Sequence, residues 1–149
     1  MLVVKLNKNA FLWRIIMQKL QFEEAWDKTI SEKDRSFIKE IFKMDMPFEN
    51  RVLLSPFWLA KNYKKEWLLS ALIHNGTNEV FTISNHKISI VVDDRVVHEA
   101  VFSVPRLEIK PFTSMPWTFI FPSNEKLEEI LEAEDRYVLT NQKRIQVCF

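Results

Sequence analysis

The chain reads as mostly β: an immunoglobulin-like antiparallel β-sandwich preceded by an N-terminal helical segment. Three observations predict it. Apolar residues recur at three- and four-residue steps up to about residue 43, and at every second residue after about residue 51. Turn-forming residues at Asn75-Gly76, Asp93-Asp94, Pro105 and Pro111 cut the second region into short runs. No alternation of strand-length and helix-length patterns, the mark of a parallel sheet, is present. With 149 residues, 47% of them hydrophobic, and 12 Phe and 5 Trp, the chain has material for one well-filled domain.

Residues 1–20 are expected to form an extension and 21–149 a single domain, with helices at about 22–43 and the sandwich at about 51–149. Lys5, Lys8 and Arg14 interrupt the apolar runs of residues 1–17, so neither a secretory signal nor a membrane-spanning helix is expected. Phe11, Trp13, Ile15 and Ile16 lie among basic residues. The segment 10–20 packs on the domain or on a second copy, or else touches a membrane surface weakly. A cytoplasmic location follows, with peripheral membrane contact as the second reading. The lone Cys148 excludes an intramolecular disulfide and a cysteine zinc site, and it fits a reducing compartment.

Within the helical segment, Phe22, Ala25, Trp26 and Ile30 share a 3,4 spacing. Ser31 has the chemistry of an N-cap, because its side-chain oxygen can accept from an orphan backbone N–H. Glu32 and Asp34 in the first turn suit the positive end of the helix dipole. Phe37, Ile38, Ile41 and Phe42 form the buried stripe of a helix from Glu32 to about Lys43, which Pro47 ends.

The period then changes to two. Trp67, Leu69, Ala71 and Ile73 share one face, as do Ile88, Ile90 and Val92. Val96, Ala100, Phe102 and Val104 share another, with His98 among them. Met115, Trp117, Phe119 and Phe121 make the clearest stripe. Asn75-Gly76 suits a tight reversal at positive φ, and Val92-Asp-Asp-Arg-Val96 a hairpin without glycine. A short helix is expected near 125–133 with Leu127, Ile130 and Leu131 inward. Tyr137–Leu139 and Arg144–Phe149 are candidate final strands.

Charge and chemistry exclude several functions. The formal balance is 21 basic against 20 acidic residues, which gives no bulk attraction to nucleic acid. The basic and aromatic cluster Lys61, Tyr63, Lys64, Lys65 and Trp67 is short, and a charged turn accounts for it. One Gly rules out a glycine-rich phosphate loop. His74, His86 and His98 stand twelve apart, a spacing unlike metal-ligand pairs, and are expected at a strand end, in a turn and in mid-strand. Asp93 and Asp94 are neighbours in a turn, whereas glycosidase carboxylates face each other from different segments. No Gly-x-Ser-x-Gly elbow is present, and Cys148 would need a base in a pocket to act as a nucleophile. The acidic run Glu125, Glu128, Glu129, Glu132, Glu134 and Asp135 reads as the wet face of the short helix. No catalytic, metal or cofactor residue is assigned, and the binding face is open.

Phe102-Ser-Val-Pro-Arg-Leu-Glu-Ile-Lys-Pro111 followed by Thr113-Ser-Met-Pro-Trp-Thr-Phe-Ile-Phe-Pro122 resembles the SLAP domain of Gram-positive bacteria. Trp26-Asp-Lys-Thr-Ile-Ser31 and Leu69-Ser-Ala-Leu-Ile-His-Asn-Gly76 agree with it, so the resemblance spans about residues 20–123. It implies a non-catalytic module that assists secretion or assembly of cell-envelope, S-layer-type proteins through an accessory Sec pathway, by contact with a protein partner. The matched residues are structural: Pro105, Pro111, Pro116 and Pro122 bracket strands, and Trp117 and Phe119 fill the interior. The chain has room for one copy, and its Asp93-Asp94-Arg95 turn lacks a glycine. Two other readings stand beside this one. The aromatic content can line a pocket for a small apolar ligand between the helices and the sheet. A free strand edge or the apolar arm can pair two copies as a homodimer.

Overall fold

The structure, a computed structural model, describes residues 18–46, 48, 50–131, 136–140 and 142–149. The expectations for residues 1–17, for Pro47 and for Glu132, Glu134 and Asp135 lie outside the described residues. Of those described, half are strand and 21% helix. The fold is the mostly β sandwich with small N-terminal helices that the periodicity predicts.

Both N-terminal helices open on side-chain caps. The Glu23 carboxylate accepts from the Ala25 N–H at 3.2 Å ahead of α1, Glu24–Thr29. The Ser31 hydroxyl accepts from the Asp34 N–H at 3.1 Å ahead of α2, Glu32–Asp45. These bonds satisfy donors that have no partner inside the helix. α2 buries Ile38 and Ile41 and half-buries Phe37 and Phe42, as the spacing predicts. α1 departs from expectation. It buries none of its residues, Ala25 is exposed, and Phe22 precedes the helix, where the Arg35 guanidinium lies 4.7 Å from its ring. The helix makes under two turns, and two of the four apolar positions of the spacing, Phe22 and Ile30, lie outside it.

The strands are β1 (Lys19–Leu20), β2 (Val52–Lys61), β3 (Trp67–Asn75), β4 (Phe81–Val92), β5 (Arg95–Ile109), β6 (Thr113–Phe121), β7 (Tyr137–Val138) and β8 (Ile145–Cys148). The five-stranded sheet has the order β1-β6-β3-β2-β7 and the three-stranded sheet the order β5-β4-β8. The β1–β6 pair is parallel, a departure from the all-antiparallel expectation, and joins Lys19 to Thr113 and Leu20 to Ser114. The short helix α3, Glu125–Ile130, follows β6 and buries Leu127. The chain passes from the first sheet to the second after β3, returns after β5 and crosses again between β7 and β8.

Contacts cluster into two compact units. The first comprises the described residues up to Leu53 with Ile73–Phe81 and Glu108–Pro116. Its core includes Ile38, Ile41, Phe48, Ile73 and Ile109. The second comprises Leu54–Leu72, Thr82–Leu107 and Trp117–Phe149. There the sheets face each other. Phe102 of β5 meets Phe119 and Phe121 of β6 edge-on, with ring centroids 5.1 and 5.0 Å apart. Edge-to-face placement sets the positive rim of one ring against the negative face of the other. Phe57, Trp67, Leu69, Ile83, Ile88 and Ile90 complete this core.

Four local readings need correction. Gly76 has no positive φ, and no glycine in the chain does. Its requirement is steric: a Cβ there would lie 2.8 Å from both the Cβ and the carbonyl oxygen of Phe48. His86 lies inside β4 rather than in a turn, because Asn85 at φ 50° kinks the strand without ending it. The Ser84-Asn85 pair has turn chemistry, and here it produces a bulge-like change of face. Val96 is 52% exposed, so the inward face of β5 begins at His98. That face then shifts from even to odd numbers between Val104 and Leu107, across Pro105. Trp117 is half-buried, while Phe119 is 1% exposed.

Candidate functional site

The polar residues worth weighing fall into a buried chain in the first unit and surface groups in the second. Asp45 ends α2, His74 is the penultimate residue of β3, Ser114 is the second residue of β6 and Gln18 precedes β1. The His74 Nε2 lies 3.0 Å from Asp45 Oδ2, and its Nδ1 lies 2.6 Å from Ser114 Oγ. The Gln18 amide donates to Ser114 Oγ at 3.1 Å and to the Asn75 carbonyl at 3.3 Å. One proton arrangement satisfies this chain: Nε2–H donates to Asp45, and Ser114 O–H donates to Nδ1 while accepting from Gln18. The Phe48 ring stacks on the imidazole at 4.0 Å between centroids.

The order serine, histidine, carboxylate is that of a nucleophilic triad. Its setting differs. Ser114 is 0% exposed, and its oxygen already receives the Gln18 amide, so a carbonyl carbon has no approach as the groups stand. What the chain does chemically is to satisfy buried polar atoms and tie three elements together. Sequence reasoning placed His74 at a strand end and missed Asp45, Ser114 and Gln18 as its network. Asp45 and Ser114 are 29 and 40 residues from His74, and Gln18 is 96 residues from Ser114, so no local spacing carries the signal.

Asn75 continues the pattern. It is 0% exposed, and its amide donates to the carbonyls of Glu79, Ile109 and Lys110 at 2.8, 3.0 and 3.1 Å. Its side-chain oxygen accepts from the Thr77 N–H and hydroxyl. The Asn-Gly pair thus secures a loop from inside.

The remaining sequence candidates are dispersed. His98 bonds the Pro122 carbonyl at 2.8 Å, and His86 Nδ1 accepts from the Ser84 N–H at 3.0 Å. Among the described residues, no group of three or more His, Cys, Asp or Glu gathers as a metal cage. Asp93 and Asp94 form the β4–β5 turn at φ 49° and 64°, the left-handed pair a two-residue hairpin needs, and Asp93 pairs with Arg144 at 3.3 Å. The basic cluster and the acidic run meet each other: Lys61 pairs with Glu128 of α3 at 3.1 Å. The Lys64 ammonium lies over the Tyr63 ring. Cys148 is exposed on β8. The large aromatics Phe57, Trp67, Phe119 and Phe121 are fully buried side chains of the packed core.

The longest of the described strands is β5. Its fifteen residues lie at one edge of the three-stranded sheet, with β4 as its one neighbour among the described strands. Val101 is 62% exposed on it. The other edges are shorter: β1 and β7 have two residues each and β8 has four. No helix among the described residues is long and apolar enough to cross a membrane.

The described residues form two sheets and three helices, with a buried polar chain in the first unit. The comparison with known families agrees with the motifs around Pro105 and Trp117: the chain matches the SLAP domain over residues 20–142 and belongs to the SLAP-domain family. No curated protein and no solved structure matches it.

Proposed function

We propose that the chain is a non-catalytic protein-interaction module that assists export of cell-envelope proteins through an accessory Sec pathway in the cytoplasm of a Gram-positive bacterium. It holds an extended segment of its partner by strand addition to β5. The supporting observation is the edge itself: fifteen residues of strand with no described strand on one side, where backbone N–H and C=O groups can pair with an added strand. Pro105 interrupts only part of this edge, leaving Arg95–Val104 as the acceptor stretch. Membership of a family linked by name to accessory Sec and S-layer systems supports the export half of the reading.

Co-purification of the tagged chain from an export-active host, with identification of what it retains, tests this. An exported protein or a component of the export machinery is expected, and Val101→Lys should release it, because a charge placed on the edge opposes pairing. Val101 is exposed, so the variant should keep its stability. Retention unchanged by Val101→Lys would move the contact off β5. Recovery of no protein under gentle conditions would end the module reading.

A further inference from the structure

The first unit carries a second surface, independent of β5. A cavity of about 440 Å³ is lined by Lys19, Leu20 and Gln21 on one side and by Lys110, Pro111, Phe112 and Thr113 on the other. It sits where β1 meets the turn between β5 and β6.

Three features of this cavity point the same way. First, the Lys19 and Lys110 side chains, both on the cavity lining, have no ion-pair or hydrogen-bond partner among the described residues. Two unmatched ammonium groups lining one concave surface raise the local concentration of anions. Second, β1 is an edge strand. The Lys19 and Gln21 N–H groups donate inward to the Phe112 and Ser114 carbonyls, both at 2.9 Å. Parallel pairing alternates, so the Leu20 backbone groups face away from β6, and no other described strand pairs with them. Third, Phe112 is held at φ 52°, a conformation bulky residues avoid. Its carbonyl accepts from Lys19, and its N–H donates to the Thr77 carbonyl at 3.1 Å. Strain retained by its neighbours is typical of surfaces shaped for binding.

We infer that this cavity is a docking site for an extended acidic peptide segment of a partner protein. Carboxylates meet Lys19 and Lys110, the peptide backbone pairs with the open side of β1, and apolar side chains rest on Leu20, Pro111 and Phe112. Alternation of charged and apolar side chains along such a strand matches the alternation of the site.

Fluorescence anisotropy with a labelled synthetic peptide alternating Glu and Val tests this on the full chain. Binding is expected and should weaken with added salt. The double variant Lys19→Glu/Lys110→Glu should raise Kd by about tenfold or more, since each reversal replaces an attraction by a repulsion. A Lys–Val peptide should then bind that variant better than it binds the parent chain, which separates charge recognition from any loss of folding. Lys143→Glu, exposed in the second unit, should leave Kd unchanged. Four results would overturn the inference: no binding of the Glu–Val peptide, equal binding of a Gln–Val peptide, indifference to the double reversal, or displacement of the peptide by inorganic phosphate or an oligonucleotide at its own concentration. The β5 reading survives any of these, because Val101 lies outside this cavity.

Discussion

His74 shows how much one residue's surroundings decide. The same imidazole on a solvent face would be an ordinary strand residue, but at 1% exposure both of its nitrogens need partners, and Asp45 and Ser114 supply them. Ser114→Ala removes the donor to Nδ1 and one acceptor for Gln18. Urea denaturation should show a loss of about 1–3 kcal/mol, the cost of leaving a buried polar group unpaired. Gly76 is a different case, in which the constraint is space. Gly76→Ala places a methyl group 2.8 Å from Phe48, whose own ring is stacked on His74. A loss of about 1–3 kcal/mol is expected from the same measurement, as for overpacking elsewhere. Neither residue would be singled out by type alone: a lone histidine and an Asn-Gly pair have common, simpler explanations. The simpler explanation fails at Gly76 because the backbone there is not left-handed. The left-handed positions fall instead on Asn50, Lys65, Asn85, Asp93, Asp94 and Phe112.

Elements with strong local chemistry match their sequence signals. Ser31 caps α2 as expected, and the first turn carries Glu32 and Asp34 at the positive end of the helix. Ser31→Ala should lower stability by about 1 kcal/mol in thermal or urea unfolding, the usual loss for an N-cap. The β4–β5 hairpin forms without glycine because aspartate tolerates the left-handed conformation that the turn needs. Elements whose character depends on partners are less legible. α1 has a plausible apolar spacing yet buries nothing, because Phe22 and Ile30 of that spacing fall outside its six residues. β4 and β5 keep pairing through changes of face at Asn85 and near Pro105, so a strict two-residue period breaks where the strands continue. β1 and β7 have two residues each, too short for any periodicity to register.

For the whole molecule, the order of strands sets where stability resides. β3 occupies the middle of the five-stranded sheet and is buried from Leu69 to Asn75 on both faces, whereas β1 and β7 flank the sheet with two residues each. Native-state hydrogen exchange should therefore show the slowest amides in β3 and the fastest strand amides in β1 and β7. Uniform protection across the five strands would contradict this order. The residue pattern alone was enough for the class of fold, for α2 with its cap, for the glycine-free hairpin and, through the motifs around Pro105 and Trp117, for the family. These features rest on interactions between residues close in the chain, or on a period that every inward-facing strand must obey. The strand order, the parallel β1, the Asp45–His74–Ser114–Gln18 chain and the cavity beside Lys19 and Lys110 emerge only on folding. Each depends on residues tens of positions apart meeting in space, and nothing in their local spacing encodes that meeting.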